Sequence, residues 1–188
     1  MKNTNENARY KKVPKPQIQK IHLTHPFAPV FDTYSRVLIL GSFPSVISRD
    51  EQFYYAHSHN RFWRILATLF APEIDIRAQD RDAKKQFLLT HHIALWDIVC
   101  ECDICNSSDS TLSNAKPNDI SVILSSAKIN AIFCNGRKAY ELFIRFFGSQ
   151  MCETQEIKVF LLPSSSPANA RYSLEKLVDS WRVVLNYV

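Results

Sequence analysis

The chain has 188 residues, 46% of them hydrophobic and 22% charged, a balance that fits a globular body with one sizeable core. No apolar run reaches the ~18 residues of a membrane span, no apolar signal segment is found near residue 1, and the five cysteines are an odd number. A soluble, cytoplasmic protein without a disulfide framework or a membrane partner is therefore expected.

The net charge of +5 is concentrated in the first 20 residues, where Lys2, Arg9, Lys11, Lys12, Lys15 and Lys20 stand against Glu6; the remainder carries 17 basic and 17 acidic side chains. That stretch is polar, contains Pro14 and Pro16 and shows no apolar period. Residues 1–20 are expected to be a disordered basic tail able to attract phosphates, and residues 21–188 a single domain.

Beyond the tail, strands and helices alternate. Residues 37–40 form a short buried strand, followed by a helix over 60–70 with Phe62, Ile65, Leu66, Leu69 and Phe70 on one face. A charged helix covers roughly 78–90, and 93–96 is a second strand. The Pro117-Asn118-Asp119 segment has the look of a helix start, with Ile120, Ile123, Leu124 and Ala127 facing inward. A third strand at 131–134 precedes a helix over 137–147 that Gly148 is expected to stop. A fourth strand at 157–162 precedes a final helix capped by Ser173. This alternation predicts a parallel sheet with helices on both faces, and a ligand site beyond the carboxyl ends of the four strands.

Several chemistries are disfavoured. With only three glycines, Gly41, Gly136 and Gly148, no GxGxxG or Walker-type loop can be written, and no GxSxG elbow occurs. Cys100, Cys102 and Cys105 lack the paired spacing of a zinc site, and His57 and His59 lack a nearby third ligand. No metal is expected, nor a dinucleotide or nucleoside triphosphate held by a glycine-rich loop.

The segments "LILGSFPSVIS", "YYAHSHNRFWRIL", "IALWDIV", "PNDI", "IFCNGRKAYELF" and "LLPSSSPANA" occur in this order along the chain. In this set the sequence resembles the uracil-DNA glycosylase superfamily and, within it, the hypoxanthine-DNA (deoxyinosine) glycosylase branch. The resemblance covers roughly residues 26–185. It implies a three-layer α/β/α sandwich around a four-stranded parallel sheet, and base excision without a cofactor. No lysine lies at any of the four strand ends, so monofunctional hydrolysis is expected, releasing a deaminated base, foremost hypoxanthine, from double-stranded DNA, by a monomer. Departures are also visible. Phe43 stands where many superfamily members carry a water-activating carboxylate or amide, residues 164–170 contain no histidine, and His57-Ser58-His59-Asn60 departs from the branch's HPxN wording. A uracil or mismatch-uracil glycosylase, or a catalytically silent DNA-binding module of the same fold, are the alternatives.

A base taken out of the stack needs an aromatic face and oriented polar groups. Phe43 and Tyr55 are the candidates for stacking; Ser42, His57 and Asn135 are the candidates for binding base or substrate. By resemblance Asn60 positions the attacking water, while its place before a helix equally suits a cap. Asp97 is either a stabiliser of the sugar cation or a buried structural acid. Duplex DNA would be met by Ser164, Ser165, Ser166 and Asn169 in the last loop, and by Arg61 and Arg171.

Overall fold

The computed structural model describes residues 20–105, 111–154 and 157–188, so residues 1–19, and with them the expected basic tail, lie outside the described residues. The central sheet consists of β2 (Val37–Gly41), β3 (Ile93–Asp97), β6 (Ala131–Asn135) and β7 (Lys158–Leu162), all parallel, in the order β3-β2-β6-β7. Strands β2 and β3 are buried along their whole length, which is why they read as unbroken apolar runs rather than alternating ones. Although β3 is last in the sheet, its edge is not open. Val30 pairs with Leu95 through both backbone hydrogen bonds, at 2.8 and 2.9 Å.

From β2 the chain passes through α1 (Val46–Asp50), α2 (Phe62–Phe70) and α3 (Arg81–Thr90) before entering β3. From β6 it passes through α5 (Arg137–Thr154) into β7, on the other side of the sheet. The two crossovers run in opposite directions, and right-handed connections then put their helices on opposite faces. This is the sandwich the alternation implied. The last helix, α6 (Leu174–Trp181), returns to α2, where the Trp181 and Phe62 rings meet edge to face at 5.9 Å. Ser173 caps α6, accepting the Lys176 N–H at 3.3 Å. No helix among the described residues is long and apolar enough to cross a membrane.

Three features depart from the expectations. A second, antiparallel sheet of β1 (Ile21–Thr24), β4 (Val99–Ile104) and β5 (Ser113–Pro117), ordered β1-β4-β5, had no clear signature because its strands are short, polar and partly exposed. Pro117 ends β5 instead of starting a helix. Asn118 behind it is pinned to the end of β3, donating its N–H to the Ile98 carbonyl (2.7 Å) and its Nδ2–H to the Asp97 carbonyl (2.9 Å). The helical stretch that follows shrinks to the single turn α4 (Ser121–Leu124). Helix α5 also continues past Gly148, because a glycine inside a helix costs only about 1 kcal/mol and does not compel a stop.

Candidate active site

In the order β3-β2-β6-β7 the connection from β2 leaves toward one edge and that from β6 toward the other, so a crevice opens between their carboxyl ends. It holds a cavity of about 110 Å³ lined by Gly41, Ser42 and Phe43 after β2, Asp97 at the end of β3, Asn135 of β6, and Ser164, Ser165 and Ser166 after β7. Tyr54, Tyr55 and Asn60 close it from the segment ahead of α2.

Asn60 is where cap and catalyst were expected to compete. Helix α2 begins at Phe62, later than the spacing predicted, and Arg61 occupies the cap position. The Asn60 Oδ1 accepts the Phe62 N–H at 3.0 Å and the Ser165 hydroxyl at 3.0 Å. Both carbonyl lone pairs are thus spent on structure. The amide nitrogen has no hydrogen-bond partner among the described residues, so holding the start of α2 and Ser165 occupies only the carbonyl end of the side chain.

Ser165 was expected at a DNA phosphate. It is fully buried, and that expectation is corrected. Its hydroxyl accepts from Asn135 Nδ2 (2.9 Å) while donating to Asn60, and its N–H donates to Asn135 Oδ1 (2.9 Å). Asn135, which lines the cavity, therefore spends one N–H and one carbonyl lone pair on holding Ser165 and keeps one of each. Gly136, at φ 102°, lets the chain turn beneath this network; a Cβ there would stand 2.8 Å from the Ser164 Cβ.

Arg61 was expected on DNA as well. Its guanidinium instead donates to the backbone carbonyls of Ser165 (3.2 Å), Asn169 (3.1 Å), Ser166 and Tyr172, clamping the loop after β7. A planar fork with five N–H donors suits such a cluster of carbonyls. Within the loop, Ser164 Oγ accepts the Ser166 N–H, Ser166 Oγ accepts the Ala168 N–H, and Asn169 Nδ2 donates to the Ser164 carbonyl. Arg171 is exposed on the same loop and makes no hydrogen bond or ion pair among the described residues.

Asp97 is 4% exposed, and its carboxylate lies over the end of β2: a Cβ on Gly41 would meet Asp97 Oδ1 at 2.0 Å and the Tyr55 hydroxyl at 2.9 Å. Glycine is needed there for space. Asp97 Oδ2 contacts His25 Nε2 at 3.0 Å, a partner the sequence reading missed. Phe43 is largely buried, with the Arg49 guanidinium over its ring at 5.9 Å, and Tyr55 is stacked on Phe62 at 4.0 Å. Tyr55 adopts φ 53°, an uncommon left-handed backbone for a bulky residue, as the chain turns back toward α2. The Tyr54 hydroxyl, donated to the Ala28 carbonyl, is pushed above its ordinary range by burial and belongs to the wall. Ser42 spends its carbonyl on the Val99 N–H at 3.0 Å.

His57 does not reach this cavity. Its Nδ1 accepts the His59 N–H at 3.1 Å, and its ring faces a second depression shared with Trp63, Asp75, Arg77 and Lys84. The sequence placed it with its neighbours Tyr55 and Asn60; the turn between them sends it the other way. No group of three or more His, Cys, Asp or Glu side chains among the described residues is placed to hold a metal ion. Burial pushes the Cys134 thiol of β6 up to about 12, so it packs as a neutral core side chain.

A family model described as "Uracil DNA glycosylase superfamily" matches residues 28–186. Two curated proteins named "Hypoxanthine DNA glycosylase" are similar. The one from Methanosarcina acetivorans is 34% identical over 164 residues, covering 86% of this chain and 97% of its own; that from Methanosarcina barkeri is 30% identical over 158 residues, covering 82% and 93%. The solution NMR structure of a Methanosarcina acetivorans protein assigned to the uracil DNA glycosylases superposes with a TM-score of 0.69. It is 28% identical and covers 88% of this chain and 99% of that one.

Proposed function

The chain belongs to the uracil DNA glycosylase superfamily and is a DNA glycosylase, and we propose that its substrate is deoxyinosine in duplex DNA, from which it releases hypoxanthine by hydrolysis. The observation that carries the chemistry is one cavity lined by both a buried carboxylate, Asp97, and Asn60, whose amide nitrogen has no hydrogen-bond partner among the described residues. The choice of hypoxanthine rests on the two relatives of that name, each matched over nearly its whole length.

The flipped base enters between the strand ends and lies against Phe43. Its edge meets the remaining N–H and lone pair of Asn135. As the bond from C1′ to N9 lengthens, positive charge grows on the sugar and negative charge on the departing purine. The Asp97 carboxylate stabilises the first electrostatically, in a site where water is scarce. Asn60 Nδ2–H holds a water oxygen by one lone pair and leaves the other for C1′. The oxygen bonds to C1′, the N9–C1′ bond breaks, and one water proton ends on the base, giving hypoxanthine and an abasic site.

An amide cannot deprotonate water, which suits a transition state in which bond breaking leads. No lysine lines the cavity among the described residues, so no Schiff base with the sugar is formed, and the enzyme is monofunctional. The protein works as a monomer, with Arg171 and the polar loop after β7 on the duplex.

Labelled duplexes carrying hypoxanthine, uracil, xanthine or ethenocytosine, incubated with enzyme and then treated with alkali, test this reading. Strand breakage at hypoxanthine, unchanged by EDTA, is the expected result. Breakage at uracil alone would reassign the substrate, and none at any lesion would favour a silent DNA-binding module.

A further inference from the structure

Asp97 is held by a residue from outside the central sheet. His25 follows β1 of the small antiparallel sheet, and its N–H donates to the Cys100 carbonyl in β4 at 2.6 Å. That sheet delivers the imidazole to the end of β3, where Nε2 lies 3.0 Å from Asp97 Oδ2. Both side chains are almost completely shielded, at 3% and 5% exposure. The imidazole is surrounded by rings: Phe27 meets it edge-on at 4.6 Å, Phe43 at 6.1 Å, and Tyr54 lies at 6.3 Å.

The Phe27 N–H approaches Nδ1 at 3.5 Å, a contact that matches a ring proton on Nε2 donated to the carboxylate. We propose that His25 is a positioning residue for excision: by occupying Asp97 Oδ2 it fixes the carboxylate so that Oδ1, above Gly41, faces the cavity where the sugar cation develops. This rests on the assignment of Asp97 as the cation's stabiliser. The buried carboxylate would otherwise be free to rotate toward the backbone.

The arrangement reverses the usual hydrolase dyad, in which a carboxylate orients a histidine that does the chemistry. Here the histidine is one step removed from the reacting atoms.

The test compares two ligands and two variants. A duplex carrying a pyrrolidine in place of the lesion sugar mimics the cation, while one carrying tetrahydrofuran is its neutral counterpart. Wild-type enzyme is expected to prefer the cationic duplex by at least about 100-fold, the lower end of transition-state-analogue discrimination. His25→Met removes the donor while filling the space; it should abolish the preference, lower single-turnover excision of hypoxanthine by about 100-fold, and leave tetrahydrofuran-duplex affinity unchanged. His25→Gln, which keeps an N–H donor, should restore most of both. A purely structural histidine would lower stability without moving the ratio of the two affinities.

A His25→Met protein that is folded and retains both the preference and the rate would overturn the proposal. If that variant does not fold, the wild-type protein decides through long-range proton–nitrogen spectra. A proton on His25 Nε2 that shifts downfield when the pyrrolidine duplex binds is expected; an Nε2 without a proton would refute the dyad. Failure of the substrate assignment is separately visible, as absence of hypoxanthine release by wild-type enzyme whose preference for the cationic duplex is intact.

Discussion

Replacing Asn60 by Asp and by Ala separates the two ends of its side chain. Alanine removes the acceptor for the Phe62 N–H and for the Ser165 hydroxyl. A lost helix-start acceptor costs about 1 kcal/mol, and a second broken hydrogen bond about as much again. The sum, about 2 kcal/mol, corresponds to a fall of about 4–8 °C in melting temperature for a chain of this size. Asp keeps an acceptor oxygen in the Oδ1 position and caps as well as Asn, so its melting temperature should stay within a degree or two of wild type. It does, however, exchange the Nδ2 donors for a second acceptor. If those donors orient the water, single-turnover excision at saturating enzyme drops by about 100-fold in both variants, equivalent to about 2.7 kcal/mol of barrier. Fluorescence anisotropy on the same duplex, run in parallel, keeps a binding defect from being taken for a chemical one. An Asn60→Asp enzyme with wild-type melting temperature and wild-type rate would refute the reasoning, leaving Asn60 only as an acceptor at the start of α2 and the water to another residue.

Gly41→Ala places a methyl 2.0 Å from Asp97 Oδ1 and 2.9 Å from the Tyr55 hydroxyl. It should destabilise the fold by about 1–3 kcal/mol and, by displacing the carboxylate, cost excision as much as Asp97→Asn does; a stable Gly41→Ala protein of full activity would show that the carboxylate's place is unimportant. Arg61→Lys should weaken duplex affinity several-fold and speed amide exchange across residues 164–172, because an ammonium cannot span four carbonyls. Unchanged exchange and affinity would mean that the loop holds itself. Deleting residues 1–18, which hold five of the six basic side chains of the first 20 residues, should flatten the salt dependence of non-specific DNA binding and spare single-turnover excision. An unchanged salt slope would remove the tail as an electrostatic arm.

The sequence by itself carried the central sheet. Runs such as Val37-Leu38-Ile39-Leu40 and Ile93-Ala94-Leu95-Trp96 are apolar because both faces of those strands are covered, and the helical periods between them set the alternation that forces parallel pairing. From that alternation it followed that residues at the strand ends, Phe43, Asp97, Asn135 and the serines after β7, would meet in one place. What these residues do to one another was decided only in three dimensions. Ser165 and Arg61 have the composition of DNA contacts, yet one is buried between two amides and the other holds loop carbonyls. A hydroxyl or a guanidinium carries no record in sequence of whether its partner is solvent, phosphate or backbone. His57 and His25 make the same point in opposite directions: one, next in the chain to the cavity residues, turns away from it, and the other, 72 positions from Asp97, lies at 3.0 Å. Periodicity reports which face of an element meets the core, since burial acts on every third or second residue; a hydrogen bond between distant side chains is a single event with no period.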